Sequence, residues 1–358
     1  MVAVLRATIH SREASPMAQQ RSVLGIDIAK LVLHVVGMDD TGAVVLRKRI
    51  ARSELLAFIA NLPPLRIGME ACGSAHYWAR CFREHGHDVR LITPQFIKAY
   101  VKSPKNDARD AEAICEAMTR PTMRFVPTKQ LEQQDLHALH QVRARLIKAR
   151  TALVNEIRGL LSENGIVLPQ GMTKFRTSIV RQLEDAQTQL TPLSTEIFWQ
   201  LYDAFLALEK RLASYDEKLN AIGRAHPVCQ RPQAIPGIGP LTATAILAAV
   251  RDATHFKNGR QLAAWLGLVS SEYSTGGKPR LLGMSKRGDV YLRKLFVHGA
   301  RATLRWVDTK QDDRSRWLKA LIARRGKNRA AVALANKNAR IAWALLAHNQ
   351  EYRVRTKG

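Results

Sequence analysis

Short β-rich segments alternate with helical segments between residues 22 and 128, and this alternation constrains the fold more than any other feature of the sequence. The segment 22–39 is rich in β-branched residues and leads into a turn-like Asp-Asp-Thr-Gly, after which 43–51 is again β-rich. Helical and strand patterns then follow one another as far as residue 128. Opening strands followed by strand–helix alternation predict an α/β sheet with helices packed on it.

Residues 129–228 have a different pattern, in which leucine recurs at helical spacing. One long helical stretch covers 131–165, a Pro/Gly break follows at 169–171, and a second helical stretch covers 194–222. Two long helices of this kind pair as an antiparallel hairpin or dimerise as a coiled coil, and the sequence leaves both open. We interpret this long helical segment as an arm or spacer.

A third region, residues 229–345, is predicted to be mainly α-helical and to hold a helix–hairpin–helix element. Its Pro-Gly-Ile-Gly at 236–239 precedes a helix that begins with small residues. In such an element Gly237 and Gly239 let the backbone approach a phosphate, and the helix N-terminus favours the anion. Residues 1–21 and 346–358 are expected to be tails.

The charge balance predicts a polyanionic partner. The chain has 56 Lys and Arg against 30 Asp and Glu, a formal net charge of +26, and 16 basic against four acidic residues lie between 276 and 329. Basic side chains that neutralise phosphates release counterions, so nucleic acid is the expected ligand. A membrane surface is the competing partner, but there is no basic amphipathic helix, no lipidation motif and no run of 18 apolar residues.

Cysteine usage and the N-terminal residues bear on the compartment. Four cysteines are scattered without Cys-x-x-Cys spacing, which argues against a disulfide framework and a zinc site. The first 20 residues lack the long apolar core of a signal peptide. A reducing cytoplasm is therefore expected.

Four carboxylates stand out in this basic chain. Asp107 and Asp110 are three residues apart on one helical face, Asp27 ends an apolar strand and Glu70 ends another. A pair of helix-surface acids is more often a solvated face, and an acid at a strand end often caps a turn. Together, however, acids on a first strand, a later strand and a helix fit a ribonuclease H-like nuclease core. Their hard oxygens suit Mg²⁺. Two such ions about 4 Å apart stabilise the transition state of phosphodiester transfer.

The motifs resemble those of one group of bacterial insertion-sequence transposases, the family numbered one-ten, with its eleven-eleven branch and the Piv-type DNA invertases. Gly-Ile-Asp at 25–27, Met-Glu-Ala at 69–71 and Asn-Asp-Ala-Arg-Asp-Ala at 106–111 look like its D-E-D-D signature. The segments 235–243 and 276–301 resemble its C-terminal transposase domain. The likeness extends from about residue 22 to 345.

This resemblance implies a RuvC-like catalytic domain over 22–128, in which Asp27, Glu70, Asp107 and Asp110 are catalytic and hold Mg²⁺. It also implies a nucleophilic serine in the C-terminal domain, at the position of Ser274 in a Gly-rich loop. A serine hydroxyl that attacks a phosphodiester leaves a phosphoserine link and conserves the bond energy for rejoining. Ser270, Ser271 and Ser285 are the alternative nucleophiles.

Contacts to nucleic acid are expected from basic residues and glycines near both sites, because they neutralise or approach phosphate. These residues are Lys105, Arg109, Gly237, Gly239, Lys278, Arg280, Lys286, Arg287 and Arg293. The family resemblance further implies DNA partners at the element ends and target, a structured guide RNA encoded by the element, and a homodimer or homotetramer near the bacterial nucleoid. No membrane partner is expected.

Three functions remain distinguishable at this point. The favoured one is a transposase that cleaves and rejoins DNA with Mg²⁺-bound carboxylates and a serine. The first alternative is a structure-selective nuclease of the Holliday-junction resolvase type, which needs neither Ser274 nor the C-terminal domain. The second is a non-catalytic nucleic-acid-binding protein with a degenerate nuclease fold, against which the presence of all four acids counts.

Overall fold

The computed structural model describes residues 22–101, 107–250 and 252–353, and of Asp107 only the backbone. The chain forms two compact units that divide between Gln130 and Leu131. Within the described ranges, no helix combines the length and the apolar character needed to cross a membrane.

The described residues of the N-terminal unit form a six-stranded sheet and four α-helices. The strands are β1 (Val23–Asp27), β2 (Val32–Met38), β3 (Val44–Ala51), β4 (Arg66–Glu70), β5 (Asp88–Ile92) and β6 (Phe125–Val126). The helices are α1 (Leu55–Ala60), α2 (Ala75–Glu84), α3 (Pro94–Ile97), which continues into a 3₁₀ turn at Lys98–Tyr100, and α4 (Asp107–Met118). The predicted α/β architecture is confirmed, and β6 is an addition that the sequence did not indicate.

The sheet has the order β3-β2-β1-β4-β5-β6. Strands β1, β2 and β3 form an antiparallel meander, β4 pairs parallel to β1, and β5 pairs parallel to β4. Parallel pairing requires a crossover between strands. In this unit α1 and α2 make those crossovers, so β1, β4 and β5 all end at the same edge of the sheet.

The two faces of the sheet are covered by different helices. Leu24 and Ile26 belong to the core beneath α1 and α2, while their neighbour Val23 packs on the side of α4. On that side Gly25 is in close contact with the helix, because a Cβ there would lie 2.3 Å from the carbonyl oxygen of Ala111. Helix α4 therefore lies directly on β1, which fixes its position relative to the strand end.

The C-terminal unit is mainly helical, as predicted. Its helices are α5 (Leu131–Glu163), α6 (Met172–Asp185), α7 (Pro192–Ala225), α8 (Pro227–Gln233), α9 (Pro240–Ala249), α10 (Gly259–Trp265), α11 (Val290–Leu304), α12 (Asp313–Arg325) and α13 (Lys327–Ala347). A 3₁₀ turn at Ala253–His255 and a hairpin of β7 (Ser270–Glu272) and β8 (Leu281–Met284) complete it. Helix α6 was not predicted, and the expected tail at 346–358 begins inside α13.

The long helices α5 and α7 pack against each other within the chain and run antiparallel. Leu136 near the start of α5 and Leu219 near the end of α7 share the core formed with α9 to α13. At the other end Ile157 and Phe205 share a second core with α6. The helical segment and the C-terminal region, which the sequence analysis separated at 228/229, are therefore parts of one compact unit.

Candidate active site

Two of the predicted carboxylates end adjacent parallel strands. Ile26 of β1 pairs in register with Met69 of β4, so the next residues, Asp27 and Glu70, lie side by side. Because side chains alternate between the faces of a strand, Asp27 points to the same face as Gly25, which is the face that α4 covers. Both carboxylates are half-buried. The register of the sheet alone is enough to bring these two acids together.

The thiol of Cys72 lies near both of these carboxylates. Burial raises its pKa, and the negative charges of Glu70 and Asp27 raise that pKa further. A single group that senses both carboxylates must lie near both, just beyond the strand ends. The sequence analysis did not single out Cys72, although its position two residues after Glu70 was a usable signal.

Helix α4 carries the other two predicted carboxylates. Ala111 and Ile114 are buried against the sheet. Asp107 lies one turn before Ala111 and Asp110 lies four residues before Ile114, so the backbone places both at the N-terminal ends of the stripes that face the sheet. Asp110 is half-buried, and the side chain of Asp107 lies outside the described atoms.

The direction of α4 decides which end of the sheet these acids approach. A depression at the opposite end of the sheet is lined by both Val23, the first residue of β1, and Thr119, which follows the last residue of α4. The C-terminal end of α4 thus lies at the start of β1. Its N-terminal end, with Asp107 and Asp110, lies toward the end of β1, where Asp27 is.

The donor set suits a hard divalent cation. Carboxylate oxygens from Asp27, Glu70 and Asp110 are the ligands that Mg²⁺ prefers. The Cys72 thiol is unsuited to bind it, since sulfur is a soft ligand and its raised pKa keeps it protonated. No group of three or more His, Cys, Asp and Glu side chains within the described part of the chain is spaced to hold an ion. Asp27, Glu70 and Asp110 belong to that part and do not form such a group by themselves, and the Asp107 side chain lies outside it, so the four-carboxylate site stays a prediction.

The predicted serine lies on the β7–β8 hairpin, whose turn explains its glycines. The carbonyl of Thr275 accepts a hydrogen bond from the amide of Lys278 at 3.1 Å, and the two residues between them have φ of +58° at Gly276 and +74° at Gly277. A two-residue hairpin turn of type I′ requires positive φ at both positions, which glycine adopts without strain. The structure shows that the turn itself requires both glycines. Gly-Gly between two strands was the missed sequence signal.

Ser274 makes two hydrogen bonds at the tip of this hairpin. Its hydroxyl donates to Oε1 of Glu272 at 2.5 Å, and its oxygen accepts the amide N–H of Arg280 at 3.2 Å. All three residues are exposed. A carboxylate that accepts the hydroxyl proton is positioned as a general base. Sequence reasoning missed Glu272, although residues two apart on a strand share a face.

The other serines considered as nucleophiles have different surroundings. Ser271 donates its hydroxyl to the carbonyl of Gly283 at 3.0 Å, and the Oγ of Ser285 is buried, out of reach of a phosphate. Ser270 is exposed at the start of β7. Of these four serines, Ser274 is the one whose described hydroxyl meets a carboxylate.

The basic residues expected to contact nucleic acid divide into two groups. Lys278, Arg280, Lys286 and Arg287 are all exposed, as is Arg109 on α4, and Lys105 lies outside the described residues. Arg293, in contrast, is only 8% exposed.

The buried guanidinium of Arg293 has an internal role. Its Nη1 donates to the carbonyl of Leu266 at 3.1 Å and to that of Arg287 at 2.8 Å. Both carbonyls belong to segments that flank the β7–β8 hairpin. Arg293 therefore supports the loop that carries Lys286 and Arg287, instead of making the expected contact with phosphate.

The two glycines of the predicted helix–hairpin–helix element also differ. Gly237 has φ of +97°, and a Cβ there would lie 2.8 Å from the carbonyl oxygen of Gly299 on α11. Its small size is thus required by packing inside the unit. Gly239, before α9, is exposed with open space around its Cα, and it stays a predicted phosphate contact.

Comparison with known proteins adds the following similarities. Residues 229–317 match the model described as the transposase IS116/IS110/IS902 family, and residues 24–165 match a DEDD-type transposase model of the IS110 group. A probable family 20 transposase of Pseudomonas aeruginosa is 51% identical over 336 residues, covering 93% of this chain and 98% of the relative.

Two further relatives extend the comparison. The transposase for insertion sequence element IS1111A of Coxiella burnetii is 48% identical, covering 92% of this chain and 91% of the relative. A pilin gene-inverting protein of Moraxella bovis is 25% identical over 230 residues, which is 60% of each chain.

Proposed function

The chain belongs to the IS116/IS110/IS902 family of transposases, enzymes that cut and rejoin DNA, and from that premise we propose that it does so with a serine nucleophile and a carboxylate site. The carboxylates are Asp27, Glu70, Asp107 and Asp110, and the nucleophile is Ser274. Glu272, next to Ser274 in the hairpin, is the base.

The carboxylate half of the chemistry rests on a RuvC-like N-terminal domain. Asp27 and Glu70 at neighbouring strand ends, with Asp107 and Asp110 at the near end of α4, would hold Mg²⁺. When bound, the ion supplies Lewis-acid stabilisation of phosphate oxygens. The sheet register and the contact of α4 with Gly25, which set the backbone positions of these residues, support this arrangement.

In the proposed serine step, one bond to phosphorus forms and another breaks. Ser274 Oγ attacks the phosphorus, its proton passes to the Glu272 carboxylate, and the bond from phosphorus to a deoxyribose oxygen breaks while that oxygen takes a proton from solvent. The Arg280 amide N–H, which already donates to Ser274 Oγ, stabilises negative charge on that oxygen. Rejoining reverses these steps when a DNA hydroxyl attacks the phosphoserine.

The exposed cations around the hairpin would bind the nucleic acid. Lys278 and Arg280 are accessible in the hairpin with Ser274, and Lys286 and Arg287 are accessible just after β8. Gly239 leaves space for a phosphate before α9. We also propose that the protein binds an element-encoded guide RNA, forms a homo-oligomer and works in a reducing cytoplasm. All four cysteines are free thiols, which supports that compartment.

One observation carries the proposal, and that is the hydrogen bond from the Ser274 hydroxyl to Glu272 on an exposed hairpin. A nuclease that activates water has no use for such a pair, whereas a serine recombinase requires both an accessible hydroxyl and a proton acceptor. The alternative of a resolvase-type nuclease is thereby disfavoured.

The test is a search for the covalent intermediate. Purified protein is incubated with end-labelled element DNA, transcribed RNA from the flanking region and Mg²⁺, then separated on a denaturing gel and digested for mass spectrometry. We expect a DNA adduct on the peptide that contains Ser274. Cleaved DNA with free ends and no adduct on any serine would overturn the serine mechanism in favour of a water-using nuclease.

A further inference from the structure

A wide groove crosses the C-terminal unit outside the residues that the proposed chemistry uses. Its volume is about 2390 Å³. At one end it is lined by Ser270 and Met284, which are register partners at the base of the serine hairpin. From there it follows Asn336 and Arg340 of α13 and reaches Trp317 of α12. The groove is therefore continuous with the base of the hairpin that carries the nucleophile.

The groove is basic, and two of its acids are already engaged. Seven Lys and Arg side chains line it against three Asp and Glu. Asp312 caps α12 by accepting hydrogen bonds from the amide of Ser315 at 3.1 Å and from its hydroxyl at 2.8 Å. Asp313 is paired with Arg316. These carboxylates neutralise little of the positive charge elsewhere in the groove.

Three of the cations lie close together, and aromatic rings contact two of them. The Nζ of Lys337 lies 4.6 Å from the centre of the Trp317 ring. Arg314 donates from Nη2 to the hydroxyl of Tyr352 at 2.9 Å, and its guanidinium lies over the Tyr352 ring. Partial burial and the like charges of Arg314 and Arg340 lower the pKa of Lys337. The cations are close enough to repel one another, yet the fold keeps them together.

Nothing within the described residues compensates this cluster. Across 22–101, 107–250 and 252–353, neither Arg314, Lys337 nor Arg340 forms an ion pair, and the buried Nη1 of Arg314 lacks a hydrogen-bond partner. Buried donors without acceptors and like charges without counter-ions both destabilise a folded protein. An anionic ligand in the groove would supply the missing counter-charge.

We propose that this groove binds the sugar-phosphate backbone of a nucleic acid strand, with a phosphate at the cluster of Arg314, Lys337 and Arg340. Phosphate oxygens accept several charge-assisted hydrogen bonds at once, which suits three neighbouring cations that line one groove. The strand would leave the groove at Ser270 and Met284, beside the serine hairpin. The assignment rests on the proposed handling of nucleic acid, and it does not depend on which group attacks the DNA.

The test measures binding in a background that cannot cleave by the serine route. Full-length protein with Ser274→Ala is titrated into fluorescein-labelled duplex DNA of an element end, and separately into labelled RNA from the flanking region, across a salt series. The groove variant adds Lys337→Gln and Arg340→Gln. The matched control adds Lys210→Gln and Arg211→Gln, one exposed Lys and one exposed Arg on α7.

The groove variant should weaken binding at least about tenfold and flatten the slope of log Kd against log salt by about 1 to 2, while the control leaves the slope unchanged. Loss confined to RNA assigns the groove to RNA, loss confined to DNA assigns it to DNA, and loss of both assigns it to either backbone. Equal slopes for groove variant and control with both probes would overturn the site.

A second measurement uses the unsubstituted lysine, in case the variant fails to fold. The same Ser274→Ala protein is acetylated with and without each nucleic acid, and the modification of Lys337 and Lys210 is followed by mass spectrometry. Nucleic acid should protect Lys337 and leave Lys210 reactive. Equal protection of the two lysines would contradict the proposal, whatever the outcome of the search for a serine adduct.

Discussion

The two candidate catalytic regions of this protein are built in opposite ways. Asp27 and Glu70 sit half-buried at the ends of parallel strands inside a six-stranded sheet, and a helix in direct contact with Gly25 fixes their surroundings. Ser274 stands on an exposed two-stranded hairpin, where it is oriented by Glu272 and by one backbone amide. The first region is positioned by the backbone and the second largely by side-chain hydrogen bonds.

This difference fits the roles proposed for the two regions. Carboxylates that hold a cation against a phosphate need fixed mutual spacing, which a sheet and a packed helix supply. A nucleophile that becomes linked to DNA must be reachable by a bulky strand, and a hairpin surrounded by solvent allows that access. We therefore expect the sheet site to be intolerant of change in its scaffold and the hairpin site to be intolerant of change in its side chains.

The largest effect is expected from the nucleophile itself. Ser274→Ala removes the attacking oxygen, so the covalent adduct should vanish and strand cleavage should fall by at least about 10⁴-fold. Ser271→Ala is the matched control, since its hydroxyl donates to the Gly283 carbonyl in the same hairpin. Both are measured by adduct formation on denaturing gels. An adduct that persists in Ser274→Ala and disappears in Ser271→Ala would move the nucleophile to Ser271.

The carboxylate site should respond almost as strongly. Asp27→Asn or Glu70→Gln keeps the shape but removes a charge from the predicted metal site, and cleavage in Mg²⁺ should fall by about 10³-fold. Asp88→Asn is the control, because Asp88 begins the neighbouring strand β5 and forms an exposed pair with Arg90. Calorimetric titration with Mg²⁺ gives an independent readout. Unchanged cleavage in both site variants would show that these acids serve the fold only.

A smaller loss of cleavage is expected at Glu272. Glu272→Gln keeps a hydrogen bond to Ser274 but cannot accept its proton, so the rate of adduct formation should fall by about 10²-fold while DNA affinity stays unchanged. Glu272→Asp should restore part of the rate. Single-turnover kinetics separates the chemical step from binding. If the Gln variant forms adducts at the full rate, the carboxylate only positions the hydroxyl.

Substitution of one glycine in each region compares the sheet with the hairpin directly. Gly25→Ala forces a Cβ toward the carbonyl of Ala111 and should lower the free energy of unfolding by about 3 kcal/mol. Gly276→Ala meets no neighbour but keeps φ of +58°, which costs about 1 kcal/mol. Urea unfolding of the full chain measures both. Equal losses at the two positions would contradict the contrast between a packed sheet site and an open hairpin.

Much of the N-terminal unit was predictable because short-range patterns decided it. Apolar strands that end in Asp27 and Glu70, separated by helical segments, imply parallel strands whose ends meet at one edge. The Gly-Gly pair and Glu272 were present in the sequence as local signals of a hairpin and of a proton acceptor, but neither was recognised. Arg293 could not be assigned in this way, since a basic residue beside other basic residues gives no sign that it is buried.

The sequence by itself determined the α/β character of the first unit, the family resemblance, the positive charge and the serine loop, all of which depend on local residue order. Only the tertiary structure decided the rest. It placed α5 against α7 within one chain, put Gly237 against Gly299, buried Arg293 and gathered Arg314, Lys337 and Arg340 into one groove. These contacts join residues far apart in sequence, and their energies depend on which surfaces exclude water together, a quantity that no local pattern contains.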